Sequence, residues 1–130
     1  MAAPPAGSVV LVRFPFSDLT SSKLRPAVVL AAAGRSDHIL CQVTSNPYAD
    51  PKAIRLDDAS FASGSLRRVS YARPGKLFTA DETLIARQAG RLTETAQLEV
   101  VDAVISLLRG PPKARSEGPE EVPKPEDPAS

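Results

Sequence analysis

The sequence predicts a mainly β (α+β) fold, a small β-barrel of short antiparallel strands closed by one C-terminal α-helix. Short apolar runs rich in β-branched residues recur at close spacing, and turn-forming residues separate them. One late segment, TETAQLEVVDAVISLLRG, changes to the three-and-four spacing of a helix face.

Taken in order, SVVLVRF (Ser8–Phe14) is too short for a typical helix and reads as a strand. A hydroxyl-rich loop over Pro15–Arg25 leads to a second strand, Ala27–Ala32. AGRSD has turn chemistry, and ILCQVT forms a third strand ending near Thr44, the three together making an antiparallel meander. After the loop SNPYADPK, AIRL is a short fourth strand. FASGSLRRVSYARPGKLF should hold two more strands, broken at the Pro74-Gly75 turn signal. The helix presents Leu98, Val101, Val104, Ile105 and Leu108 on one face, with Thr93 or Thr95 as N-cap and Gly110-Pro111 as stop.

The 130 residues suit one domain with a single modest core. The net charge of +1 hides an asymmetry: residues 1–109 carry 13 Lys/Arg against 10 Asp/Glu, whereas residues 110–130 carry 3 against 5. The C-terminal stretch also holds 6 of the 13 prolines. The expected organisation is therefore a flexible start over 1–6, a mildly basic domain over 7–109 and a disordered Pro/Glu-rich tail over 110–130. A lone cysteine, Cys41, cannot pair within the chain and suits a reducing compartment. With one His and one Cys there is no clustered zinc-type ligand set, so no metal or cofactor is expected. No apolar run reaches membrane-spanning length and no secretory leader is evident, which makes the cytoplasm the default location.

Three pieces, GSVVLVRFPFSDLTSSKLRPAVVL, CQVTS and GRLTETAQLEVVDAVISLL, resemble the PemK/MazF family of toxin endoribonucleases from bacterial toxin–antitoxin operons. The likeness runs from about Gly7 to Leu108 and is most specific in K-x-R-P before the second strand and in the threonine closing the third. It implies an SH3-like barrel with a C-terminal helix and a homodimer. It also implies sequence-selective, metal-independent cutting of single-stranded RNA and neutralisation by a small cognate antitoxin.

Metal-independent RNA cleavage uses the adjacent 2′-hydroxyl as nucleophile, so the enzyme must accept its proton, stabilise charge on phosphorus and protonate the leaving oxygen. A guanidinium suits the second task because its planar fork donates two hydrogen bonds to phosphate. Arg25 matches the family arginine, and Pro26 biases its backbone toward the extended form. Without the resemblance, an arginine beside a proline reads as solvated surface. Thr44 matches the family threonine, whose hydroxyl reaches the scissile phosphate, although a threonine before Ser45-Asn46-Pro47 is also ordinary turn chemistry. Ser45 is a weaker companion.

The first loop departs from the family, with Leu19–Lys23 standing where members carry a glycine and a glutamate. Ser70 stands where some members place an aspartate. Asp18 is a possible substitute for the missing carboxylate. His38 belongs at the far end of the third strand.

No acidic residue occurs between Ala59 and Ala80, where Arg67, Arg68, Arg73 and Lys76 are interleaved with Phe61, Tyr71 and Phe78. Together with Lys23 this predicts an RNA track of Arg68, Arg73, Lys76 and Tyr71, with the phenylalanines in the core. Two other readings stay open: a protein-binding toxin like the gyrase-poisoning CcdB toxins on the same fold, and a non-catalytic relative that holds RNA or an antitoxin.

Overall fold

A computed structural model describes residues 3–15, 22–46 and 50–111; Asp18 and the tail from residue 112 lie outside the described residues. Seven strands, β1 (Ser8–Pro15), β2 (Ser22–Gly34), β3 (Asp37–Thr44), β4 (Ile54–Leu56), β5 (Phe61–Gly64), β6 (Ser70–Asp81) and β7 (Ile85–Leu92), precede one helix, α1 (Glu94–Arg109). They form one antiparallel sheet in the order β4-β6-β3-β2-β1-β7-β5, curled into a half-barrel. The β1–β2–β3 meander expected from the sequence lies at its centre.

Alternation along the central strands buries apolar residues on both faces. Val9, Val28, Cys41 and Val43 pack on one face with Leu56, Ala96 and Val100, while Val10, Val12, Ala27, Val29 and Leu40 pack on the other. Phe61 joins the first cluster and Phe78 the second, both half-buried, so the phenylalanines serve the core. In the N-terminal segment, Pro4 is buried and the Ser8 N–H donates to the Pro5 carbonyl at 3.1 Å.

Three elements differ from the sequence expectation. Lys23 to Arg25 belong to β2 and pair with β1, rather than to the preceding loop. Pro74-Gly75 does not end a strand. In β6 the four residues Arg73–Lys76 stand between Ala72 and Leu77, opposite the single residue Gln42 of β3, so the proline lies in a bulge where no ladder N–H is demanded of it. β7 carries no clean alternation to announce it, because its pairing with β1 shifts register twice.

The helix also turns a different face inward. Thr93 is its N-cap, accepting from the Ala96 N–H at 3.1 Å, and Gly110 ends it at φ 73°. Its buried residues are Ala96, Val100 and Val104, whereas Leu98, Ile105 and Leu108 are exposed. The sequence holds two apolar stripes, and the one with smaller side chains lets the helix approach the sheet.

At the far end of the sheet, the Ser36 hydroxyl and the Thr83 N–H both donate to the Asp81 carboxylate. These bonds, the Ser36 contact foremost, hold its pKa down to about 2. Stability from this clamp is present above the ordinary value of 3.8 and is lost as pH falls toward 2.

β5 and β7 approach most closely where Gly64 stands opposite Gly90. A Cβ at Gly64, whose φ is +70°, would lie 2.3 Å from the Ala89 carbonyl oxygen. Gly64→Ala should therefore lower unfolding free energy by about 1–3 kcal/mol, read from denaturant midpoints.

Candidate functional site

The site begins with a backbone group that is missing. The Val29 carbonyl accepts from Gly7 beside β1, so by alternation Ala27 and Arg25 also direct their backbone groups to β1, and Pro26 directs its own toward β3. Pro26 has no N–H to give there. The β2–β3 pairing runs from Gly34–Asp37 down to Ala27–Gln42 and goes no further. Beyond it a groove of about 380 Å³ opens between the two strands.

The groove gathers Lys23, Arg25, Thr44, Ser45, Arg68 and Ser70, and none of its lining residues is acidic. Arg25 is anchored opposite Val12 of β1. Carrying the β2–β3 register two residues past Ala27–Gln42 sets Arg25 across from Thr44 on one face of the sheet. Both residues are half-buried, which limits solvent screening of a charge held between them. Thr44 Oγ1 accepts from the Asn46 N–H at 3.1 Å. That bond fixes the hydroxyl and leaves its own proton free to donate. The turn role and the site role of Thr44 therefore coexist.

The remaining predicted residues divide. Ser70 is 4% exposed and donates to the Arg68 carbonyl at 3.2 Å, which braces the groove wall. A hydroxyl so engaged is a poor stand-in for the family aspartate. Tyr71 pairs with Thr44 in the β3–β6 register but does not line the groove. Arg73 and Lys76 are corrected. Both lie in the β6 bulge away from the groove, and Arg73 Nε sits 3.7 Å from Asp50 Oδ2. Alternation placed them in a continuous strand; the bulge removed them from its row. Sequence reasoning missed the apolar floor supplied by Leu11 and Leu66, since a lone leucine carries no chemical signature.

A hollow of about 490 Å³ at the C-terminal end of α1 has Lys52 as its one charged lining residue and gathers no comparable set of donors. Among the described residues no group of three or more His, Cys, Asp or Glu could hold a metal ion, and no helix is long and apolar enough to cross a membrane.

Residues 6–108 match the family of PemK-like, MazF-like toxins of type II toxin–antitoxin systems. The chain belongs to that family. The toxin's fold is similar to a MazE–MazF complex from Deinococcus radiodurans, with a TM-score of 0.67 at 22% identity, covering 85% of this chain and 100% of that one. It is also similar to an endoribonuclease solved with its cognate antitoxin from a mycobacterial species, with a TM-score of 0.65, 14% identity and coverage of 85% and 98%. The Mycobacterium tuberculosis toxin MazF-mt6 gives 0.58 at 15% identity, covering 75% of this chain and 91% of that one. No curated protein sequence matches the chain.

Two reactive side chains of the toxin stand outside the groove. His38 is buried near the opposite end of β3, its Nε2 3.7 Å from Glu82 Oε2. Cys41 is fully buried and its thiol donates to the Arg73 carbonyl at 3.1 Å. Burial pushes its pKa up from 9.0 to about 12, so the folded thiol stays neutral where an unfolded one ionises. Stability from that difference is full below pH 9 and falls as pH rises toward 12. Iodoacetamide at pH 8 should leave Cys41 unlabelled in the native toxin and label it in denaturant, as mass spectrometry will read.

Proposed function

We propose that the toxin is a metal-independent, sequence-selective endoribonuclease acting on single-stranded RNA. The observation that carries this reading is Arg25 and Thr44 facing one acid-free groove beside Lys23 and Arg68. In this mechanism the ribose 2′-oxygen attacks phosphorus, the bond to the 5′-oxygen breaks, and the products are a 2′,3′-cyclic phosphate and a 5′-hydroxyl. The Arg25 guanidinium donates to the phosphoryl oxygens as they gain charge. The Thr44 hydroxyl donates beside it, while Lys23 and Arg68 hold the strand. Arg25 stays protonated throughout, because a guanidinium does not surrender its proton near neutral pH. The groove's described lining offers no carboxylate to take the 2′ proton. The candidate acceptor is Asp18, outside the described residues.

That same absence of a carboxylate favours a second reading, in which the groove binds RNA without turning it over. One assay separates the two. Purified toxin is incubated with single-stranded RNA in chelator and the fragment ends are analysed. The nuclease yields cyclic phosphate or 3′-phosphate ends, and Arg25→Ala lowers the rate on the order of 10²–10³-fold with the circular dichroism spectrum unchanged. Undiminished cleavage by that variant removes Arg25 from the mechanism. Intact RNA in every condition leaves the binding reading.

The family and the titles of its similar complexes also support a cognate antitoxin as partner. A homodimer fits the outer stripe of α1, where Leu98, Val101, Ile105 and Leu108 repeat at intervals of three, four and three. This order reads the same in both directions, so an antiparallel copy related by a two-fold axis would meet like with like. Leu98→Glu with Leu108→Glu should convert a dimer to monomer in light scattering; an unchanged mass would place the interface elsewhere.

A further inference from the structure

A second groove, of about 430 Å³, adjoins the first and is lined by Ser65, Arg67, Arg87 and Ala89. Leu11 and Leu66 line both grooves and form the saddle between them. Leu11 pairs with Pro26 on one side and with Arg87 on the other, so the second groove lies across β1 from the first. Two strand spacings, about 10 Å, separate the strand of Arg25 from that of Arg87.

The loop between β5 and β6 is built to divide its arginines between the grooves. Arg67 adopts φ 72°, and its N–H donates to Ser65 Oγ at 2.9 Å while that hydroxyl donates to Asp58 Oδ1 at 3.3 Å. Ser70 holds the next carbonyl, that of Arg68. The left-handed residue turns the chain so that Arg67 lines the second groove and Arg68 the first. Across both linings there are five cations, Lys23, Arg25, Arg67, Arg68 and Arg87, and no Asp or Glu. Among the described residues neither Arg67 nor Arg87 takes part in an ion pair, whereas Arg55 and Arg73 elsewhere in the sheet do.

We infer that Arg67 and Arg87 form a second phosphate subsite, which holds a flanking phosphodiester of the RNA strand whose scissile phosphate lies at Arg25. The inference rests on the nuclease reading of the first groove and extends it. A strand crossing the Leu11–Leu66 saddle lays apolar base or sugar surface on the leucines and a phosphate on each side. The toxin therefore favours strands longer than a dinucleotide.

The test uses the full chain and fluorescein-labelled, mixed-sequence 2′-O-methyl oligoribonucleotides of two and eight residues, which cannot be cleaved. Affinity is measured by anisotropy over a range of salt. The wild type should bind the longer probe more tightly. Arg67→Ala with Arg87→Ala should weaken that binding on the order of tenfold per arginine and lower the log–log salt slope by about 1.4. The Arg67→Lys, Arg87→Lys pair should restore the slope, which a merely structural role would not require. If Arg67→Ala fails to fold, Arg87→Ala alone should lower the slope by about 0.7.

A double variant with the wild-type slope and affinity overturns the subsite. So does one that keeps the RNA affinity and loses binding to an acidic peptide, which would give the groove to a protein partner. If loss occurs with Arg25→Ala but not with Arg67→Ala and Arg87→Ala, only the subsite falls. If the wild type binds neither probe, the nuclease reading falls as well.

Discussion

The site depends on one missing N–H. Sheet pairing is self-propagating, and two strands already in register for Ala27–Gln42 would go on pairing at the next residues. Pro26 stops them on the β3 side while leaving Arg25 free to pair with β1 on the other. A groove between strands ordinarily loosens the residues on its walls. Here the arginine is held by the neighbouring strand, and apolar clusters on both faces of the sheet keep the floor in place. The same dipeptide thus opens the cleft and fixes the charge beside it.

Electrostatics then decides what the cleft can do. The described ion pairs lie elsewhere, Asp50 with Arg73, Asp57 with Arg55 and Glu82 near His38. Carboxylates neutralise cations at the sheet's periphery and are kept from the groove, whose field remains positive. Such a surface attracts phosphate and stabilises charge that develops on it, but it accepts protons poorly. Binding and transition-state stabilisation are written into the described residues, and proton transfer is the function they do not supply.

The sequence made the central architecture legible because its signals are local. β-Branched runs mark β1, β2 and β3, Thr93 and Gly110 bracket α1, and Arg25 with Thr44 stand out through the family resemblance. What stayed hidden was set by pairing between distant segments. Arg73 and Lys76 look like members of a basic strand until the bulge opposite Gln42 takes them out of its row. β7 was silent because its two register shifts break the alternation a strand is recognised by, and Arg87 was hidden with it. In α1 hydrophobicity alone pointed to the larger stripe, whereas packing chose Ala96, Val100 and Val104, the stripe that permits close approach.

That choice has a consequence for the surface. A helix held by small residues leaves its larger ones outward, and Leu108 is 73% exposed in a family domain of about a hundred residues. Leaving these leucines in water forgoes burial that each could gain, roughly 1.5–3 kcal/mol for a fully buried side chain. Polar residues at the same positions would hold the helix equally well, since the inner stripe already anchors it. The outer stripe therefore does nothing for the isolated fold that a polar one would not. Its free energy is realised only against another surface, and its two-way symmetry makes a second copy of the chain the surface it fits.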